Sequence, residues 1–177
     1  LQSVSALHGV AIPGFYGKRD GEPGVTASER KDLGLATIEA RSGQEAALKA
    51  AVLAAYGAVL PSGPELANGK GVRFIGIGPG QWFAVSDILE NEAFADDLTA
   101  KLKDLASVAD HSSGRAVVRL EGPAVRDTLA KGLMVDLDPR VFGDGAAVTS
   151  TIGHRGVLLW RDGDVYDITF FRSVGGS

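Results

Sequence analysis

Residues 115–123 read Arg115-Ala116-Val117-Val118-Arg119-Leu120-Glu121-Gly122-Pro123, a strand that runs directly into a helix start. Ala116, Val118 and Leu120 alternate with Arg115 and Arg119, so one face of the strand is buried. Gly122-Pro123 opens the helix, with proline at the first position, where its missing N–H costs nothing. Lys131-Gly132 ends it. Three further strands are expected over 146–152, 157–161 and 165–172 as an antiparallel meander. Asp162-Gly163 is the hairpin signal between the last two.

Toward the N-terminus the same order recurs. A strand over 35–41 leads to Ser42-Gly43-Gln44-Glu45, which has the form of a capping box. The helix that follows, to Tyr56, puts Leu48, Ala51, Val52 and Ala55 on one face, and Gly57 suits its left-handed C-cap. Hairpin strands over 72–75 and 82–86 flank Gly76-Ile77-Gly78-Pro79-Gly80. A second helix, from Asn91 to Leu105, buries Phe94, Leu98, Leu102 and Leu105, with Asp97 and Lys101 one turn apart. The expected fold class is therefore α+β, a single domain over 1–177. It comprises two strand–helix–strand-hairpin half-repeats, 33–107 and 110–177, whose mainly antiparallel sheet packs against the helices. Residues 1–30, with Pro13-Gly14, Gly17, Gly21 and Pro23-Gly24, read as an N-terminal arm or long loop.

Composition narrows the function. The chain has 177 residues, enough for one domain with a real core. Eighteen basic against 22 acidic residues give a net charge of −4, which is no electrostatic footprint for nucleic acid. No apolar run approaches bilayer-spanning length. Residues 1–12 lack the charged-then-apolar order of a signal peptide, so a cytoplasmic location is the default expectation. The chain contains no cysteine, which excludes disulfides, thiol nucleophiles, iron–sulfur ligation and cysteine-bound zinc.

The candidate chemical motifs are weak. Gly76-Ile77-Gly78 starts like a dinucleotide fingerprint, but its third glycine falls on Gln81, and Trp82-Phe83-Ala84-Val85 reads as strand. A phosphate cradle needs a helix N-terminus there, so a hairpin turn is the better reading. Asp110-His111-Ser112-Ser113 contains three triad residue types, but adjacent positions seldom converge into a nucleophile–base–orienter line. His8, His111 and His154 have no metal-ligand spacing. Asp136 and Asp138 read as turn caps, and Asp162 and Asp164 flank a turn glycine. Trp82, Trp160, Phe170 and Phe171 lie on expected strands, where core packing is the ordinary fate. Phe170 and Phe171 are adjacent and must point to opposite faces, which hints that a partner covers one of them.

An ordered series after Asp110 resembles the gamma subunit family of heterotetrameric sarcosine oxidase. It comprises Asp110-His111-Ser112-Ser113-Gly114-Arg115, Leu120-Glu121-Gly122-Pro123, Lys131-Gly132-Leu133-Met134-Val135-Asp136-Leu137-Asp138-Pro139-Arg140-Val141-Phe142, then Gly145, Thr149 and Ile152-Gly153. Gly78-Pro79-Gly80-Gln81-Trp82 adds a weaker match in the first half. Leu133 stands where the family often has cysteine, and Asp138 where it often has histidine. More distantly, the chain resembles the folate-binding aminomethyltransferases (glycine-cleavage T-proteins). At the positions of their acidic pair it carries Leu159 and Trp160, which cannot accept a proton or stabilise a cation.

The resemblance implies an aminomethyltransferase-like fold without catalytic, cofactor or metal residues on this chain. It implies flavins, NAD, zinc and folate on partner subunits, and alpha, beta and delta subunits as the partners. The complex as a whole would convert sarcosine to glycine. Two alternatives stand beside it, a stand-alone folate-dependent aminomethyltransferase and a folate-binding module without turnover. The expected partner surface is Phe170, Phe171 and Arg172, with self-association when the chain is isolated.

Overall fold

Ten strands, most of them carrying alternating apolar residues, form in the computed structural model, which describes Gly14, Tyr16 and residues 21–174. The first sheet has the order β3 (Leu66–Asn68), β4 (Val72–Gly78), β5 (Gln81–Ser86), β2 (Gly34–Ala40) and β6 (Ala106–Asp110). The second has the order β8 (Ala147–Ile152), β9 (Arg155–Asp162), β10 (Val165–Phe171), β7 (Arg115–Glu121) and β1 (Thr26–Arg30). All neighbouring strands are antiparallel. Three helices complete the set: α1 (Glu45–Tyr56), α2 (Glu92–Lys101) and α3 (Val125–Leu129), with a 3-10 turn at Arg172–Val174.

The two sheets correspond strand for strand. Each is built by one strand, one helix and a three-stranded meander: β2-α1-β3-β4-β5 and β7-α3-β8-β9-β10. The half-repeats expected from the sequence are present in this form. They differ in the source of the fifth strand. β6 follows the first unit and pairs with β2, whereas β1 precedes both units and pairs with β7.

Period-two alternation sorts the strand residues into three apolar layers. Ala36, Ile38, Phe74, Trp82 and Ala84 of the first sheet meet Leu48 and Val52 of α1 and Phe94 and Leu98 of α2. Leu35, Ile75, Phe83 and Val85 of the first sheet meet Val117, Ala147, Leu158 and Trp160 of the second. Val157, Leu159, Tyr166 and Ile168 on the far face of the second sheet meet Val125 and Leu129 of α3, together with Leu133, Leu137 and Phe142 from the loop after it. The sheets therefore face each other, with helices outside.

Five local expectations are corrected. Thr26–Arg30 is a strand where a loop was expected. Its residues carry no apolar pattern, and pairing from Thr26↔Glu121 to Arg30↔Val117 makes it one. Ser42 does not cap α1: Gly43 turns the chain at φ 74, Gln44 takes the N-cap position, and no side chain bonds there. Gly57 does form the left-handed C-cap, its N–H donating to Leu53 O. α2 ends at Lys101 instead of reaching Leu105, because Asp104 at φ 68 breaks the helix and Ala106 starts β6. α3 starts two residues after Pro123, with Ala124 as its N-cap. The hairpin between β9 and β10 turns through Gly163-Asp164, with Asp162 paired to Val165. His8, most of the expected arm and the glycines at 175 and 176 lie outside the described residues.

Candidate functional site

Along β7 and β10 the face turned toward the first sheet carries Arg119 and Asp167 at one end, Val117 and Thr169 in the middle, and Arg115 and Phe171 at the other. The Asp167 end is charged and closed. Arg119 donates Nε to Asp167 Oδ1 at 2.9 Å and Nη2 to Oδ2 at 2.8 Å, and Asp167 is only 1% exposed. Arg30 Nη1 lies 3.9 Å from the same carboxylate. Arg30 and Arg73 both bind Asp87, and Arg73 lies 3.8 Å from Asp162. Arg73 and Asp87 belong to the first sheet and its exit loop, the others to the second, so the pairs tie one sheet to the other. Among the described residues, three guanidinium groups are paired with three carboxylates at this end.

The Phe171 end is different. The Arg115 guanidinium lies over the Phe171 ring, 4.3 Å from its centre, and over that of Phe83 at 5.4 Å, so the cation makes contacts with two aromatic rings. Its Nε is buried and has no hydrogen-bond partner among the described residues. Burial pulls the Arg115 pKa down. The His111 ring lies 6.4 Å from Phe83. Burial first, and then the Arg115 charge, lower the His111 pKa, against an opposing pull from Asp110.

Local hydrogen bonds fix this corner. Ser112 Oγ donates to Asp110 Oδ1 at 2.7 Å and accepts the Leu35 N–H at 2.9 Å. The His111 N–H donates to Leu35 O at 2.7 Å. Asp110 thus holds Ser112 directly while the His111 ring faces Phe83, and the three residues form no proton relay. They pin the second half to β2.

A lowered histidine pKa has a consequence for stability. The unfolded chain takes up the proton near the ordinary value of about 6.5, whereas folded His111 resists it. Below that value the unfolded state binds more protons, so stability falls as pH falls. Thermal melts between about pH 7 and pH 5 are expected to decline less steeply in His111→Gln than in the wild type. Equal slopes would remove His111 from the acid response.

The residues singled out from sequence are distributed as follows. Phe170 turns to the far face of the second sheet and packs into the layer under α3. Phe171 turns the other way and is 49% exposed. Arg172 opens the 3-10 turn, its backbone N–H donating to Gly114 O at 3.0 Å and its Nη1 to Ser113 O at 3.3 Å. Leu159 and Trp160 are 0% and 1% exposed, one in the outer layer and one between the sheets. Gly76 and Gly78 lie within β4, and Pro79-Gly80 makes a tight turn into β5 with Gly80 at φ 66. Asp138 accepts both arms of the Arg140 fork, at 2.9 and 2.8 Å, which holds its pKa down to about 2. Among the described residues no group of three or more His, Asp or Glu side chains converges on a point. Sequence reading missed Arg115 as a site residue, because its strand position looks solvent-facing until the first sheet is packed over it.

Residues 41–176 match the model of the "Sarcosine oxidase, gamma subunit family". The chain belongs to this family. It is 35% identical over 150 residues to "Sarcosine oxidase subunit gamma" of Corynebacterium sp. (strain U-96), covering 81% of this chain and 70% of that protein. It is 36% identical over 118 residues to the proteins of the same name from Corynebacterium sp. (strain P-1) and Arthrobacter sp., covering 65% of this chain and 57% of each. The chain thus spans between a little over half and seven-tenths of the length of these gamma subunits. A chain of the heterotetrameric sarcosine oxidase from Corynebacterium sp. U-96, solved in complex with pyrrole 2-carboxylate, superposes with a TM-score of 0.73 at 34% identity. That match covers 87% of this chain and 79% of the other. The glycine cleavage system aminomethyltransferase T from Bartonella henselae has a TM-score of 0.59 at 13% identity, covering 84% of this chain and 42% of that one. The second match extends the gamma-subunit fold to the aminomethyltransferases and carries nothing about activity.

Proposed function

We propose that this chain is the non-catalytic gamma subunit of a heterotetrameric sarcosine oxidase in the cytoplasm, the complex converting sarcosine to glycine. The identity of more than a third with named gamma subunits over 150 residues carries this reading. Alpha, beta and delta subunits are its partners, and flavins, NAD, zinc and folate sit on them. The burial of Leu159 and Trp160 supports a structural role for this chain. At the positions where aminomethyltransferases place carboxylates, it puts core side chains with nothing to protonate or deprotonate. Phe171 forms the exposed part of the partner surface and Arg172 a partly exposed one, with Phe170 holding β10 from behind.

Gentle purification of the native protein tests this. Flavin-bearing chains are expected to come with it, while the isolated chain is expected to be colourless and without sarcosine oxidase activity. A flavin band that stays with the single chain through gel filtration would overturn the assignment of cofactors to the partners. The T-protein fold makes folate the ligand to test directly. Calorimetry with tetrahydrofolate is expected to give no saturable heat in the micromolar range, about −8 kcal/mol of binding free energy. Micromolar binding would make the chain a folate-binding module, and turnover with an aminomethyl donor would make it an enzyme.

A further inference from the structure

The space between the sheets ends, at Phe171, in a cation without a counter-ion among the described residues. Arg115 and Arg119 share one strand and one face, yet only Arg119 has a carboxylate. Among the described residues Arg115 has no acidic group within ion-pair distance, and its buried Nε has no acceptor. Taking a guanidinium out of water without an anion costs free energy, and stacking on two rings returns only part of it. The surroundings do not supply the rest. The Asp110 carboxylate, which accepts from the Ser112 hydroxyl and N–H through Oδ1, forms no ion pair with Arg115. His111 is held toward its neutral form. Phe83 closes the inner side of the stack, while Phe171 at 49% exposure leaves the outer side open. The corner therefore presents an arginine with no carboxylate partner among the described residues, flanked by aromatic rings and open on one side. An aromatic-clamped arginine suits bidentate capture of a carboxylate and belongs to the class of residues that dominate protein interfaces.

We propose that Arg115, clamped between Phe83 and Phe171, is an anchor that receives an Asp or Glu side chain of a neighbouring subunit in the assembled oxidase. This rests on the subunit reading above and names the contact through which it works. The incoming carboxylate supplies the missing counter-charge, and the same contact covers the exposed edge of Phe171.

Co-expression of this chain with the other oxidase subunits of its own organism tests the anchor, using wild type, Arg115→Met and Arg115→Lys. Dilution of each purified complex measures its Kd. Arg115→Met is expected to raise the Kd by at least about 30-fold, as when one partner of a desolvated charge pair is removed. In the isolated chain the same substitution is expected to keep or raise the Tm, because it removes a half-buried charge that has no carboxylate partner among the described residues. Arg115→Lys is expected to fall between the two in Kd, since it keeps the charge and loses the planar fork. If the wild type brings down no other subunit, the subunit reading fails and the anchor with it. If the wild type assembles and Arg115→Met assembles equally well, the subunit reading stands and the anchor is overturned. A lower Tm for isolated Arg115→Met makes the residue structural and overturns the anchor as well. Should that variant fail to fold, Arg115→Lys decides: weaker assembly at unchanged Tm supports the anchor, and unchanged assembly overturns it. A saturable rise of the wild-type Tm with sodium acetate, absent in Arg115→Lys, would assign the corner to a free anion and overturn docking.

Discussion

Adding one methyl group to Gly76 is expected to destabilise the protein by about 3 kcal/mol, at the upper end of ordinary overpacking costs. A Cβ on Gly76 falls 1.9 Å from the carbonyl oxygen of Gly63, a backbone atom that cannot swing away. The Gly76 N–H donates to Glu65 O at 3.0 Å, so the loop over 61–65 is bonded to the strand at the point of collision. Pro61 O in that loop also accepts the Trp82 indole N–H at 2.8 Å. Gly76→Ala must push the loop outward, and the fluorescence of Trp82 is expected to change with it. Gly78→Ala is the control. Its Cβ meets only the Gln81 side chain, at 3.5 Å, and a flexible side chain moves. Urea unfolding of both variants decides the matter. Equal midpoints would show that the loop does not press on β4.

Asp167→Ala is expected to cost about 3 kcal/mol, or about 6–12 °C in Tm for a domain of this size. Its carboxylate is buried and holds Arg119 by two bonds, with Arg30 alongside. Removing it leaves Arg119 without its two-bond partner, while Arg30 keeps Asp87. Arg119 keeps 24% side-chain exposure, and that access to water holds the loss at the lower end for a broken buried pair. Asp162→Ala is expected to cost no more than about 1 kcal/mol, because that side chain is 36% exposed and stands 3.8 Å from Arg73. Thermal melts of the two variants at low and high salt check this. A small loss for Asp167→Ala would mean that apolar packing between the sheets holds them together without the ionic end.

Much of the architecture was legible because most strands alternate cleanly. Leu35, Ala36 and Ile38, and later Ala116, Val118 and Leu120, mark their faces without help from neighbours. What stayed hidden depends on pairing or on single backbone angles. Thr26-Ala27-Ser28-Glu29-Arg30 has no apolar face, and only β7 makes it a strand. Leu105 continues the helical spacing of Leu98 and Leu102, yet Asp104 in the left-handed region breaks the helix first. The opposed faces of Phe170 and Phe171 follow from strand geometry alone and are found in the structure. The contrast between Arg115 and Arg119 does not follow. Both read as the polar side of one strand, and only the register with Asp167 and the packing of Phe83 separate a paired arginine from an unpaired one.

The origin of β1 sets a schedule for synthesis. The first sheet is complete once Asp110 has left the ribosome, since β2 through β6 are contiguous in the chain. The second sheet needs Thr26–Arg30, made long before, to pair with Arg115–Glu121. At about 5–20 residues per second, the roughly 95 residues between Thr26 and Glu121 take about 5–20 s to emerge. For that interval β1 waits with its backbone donors and acceptors unmatched, beside a first sheet that is finished only when Asp110 emerges. Its residues suit the wait: Thr, Ala, Ser, Glu and Arg are soluble in the extended state and offer little for another nascent chain to stick to.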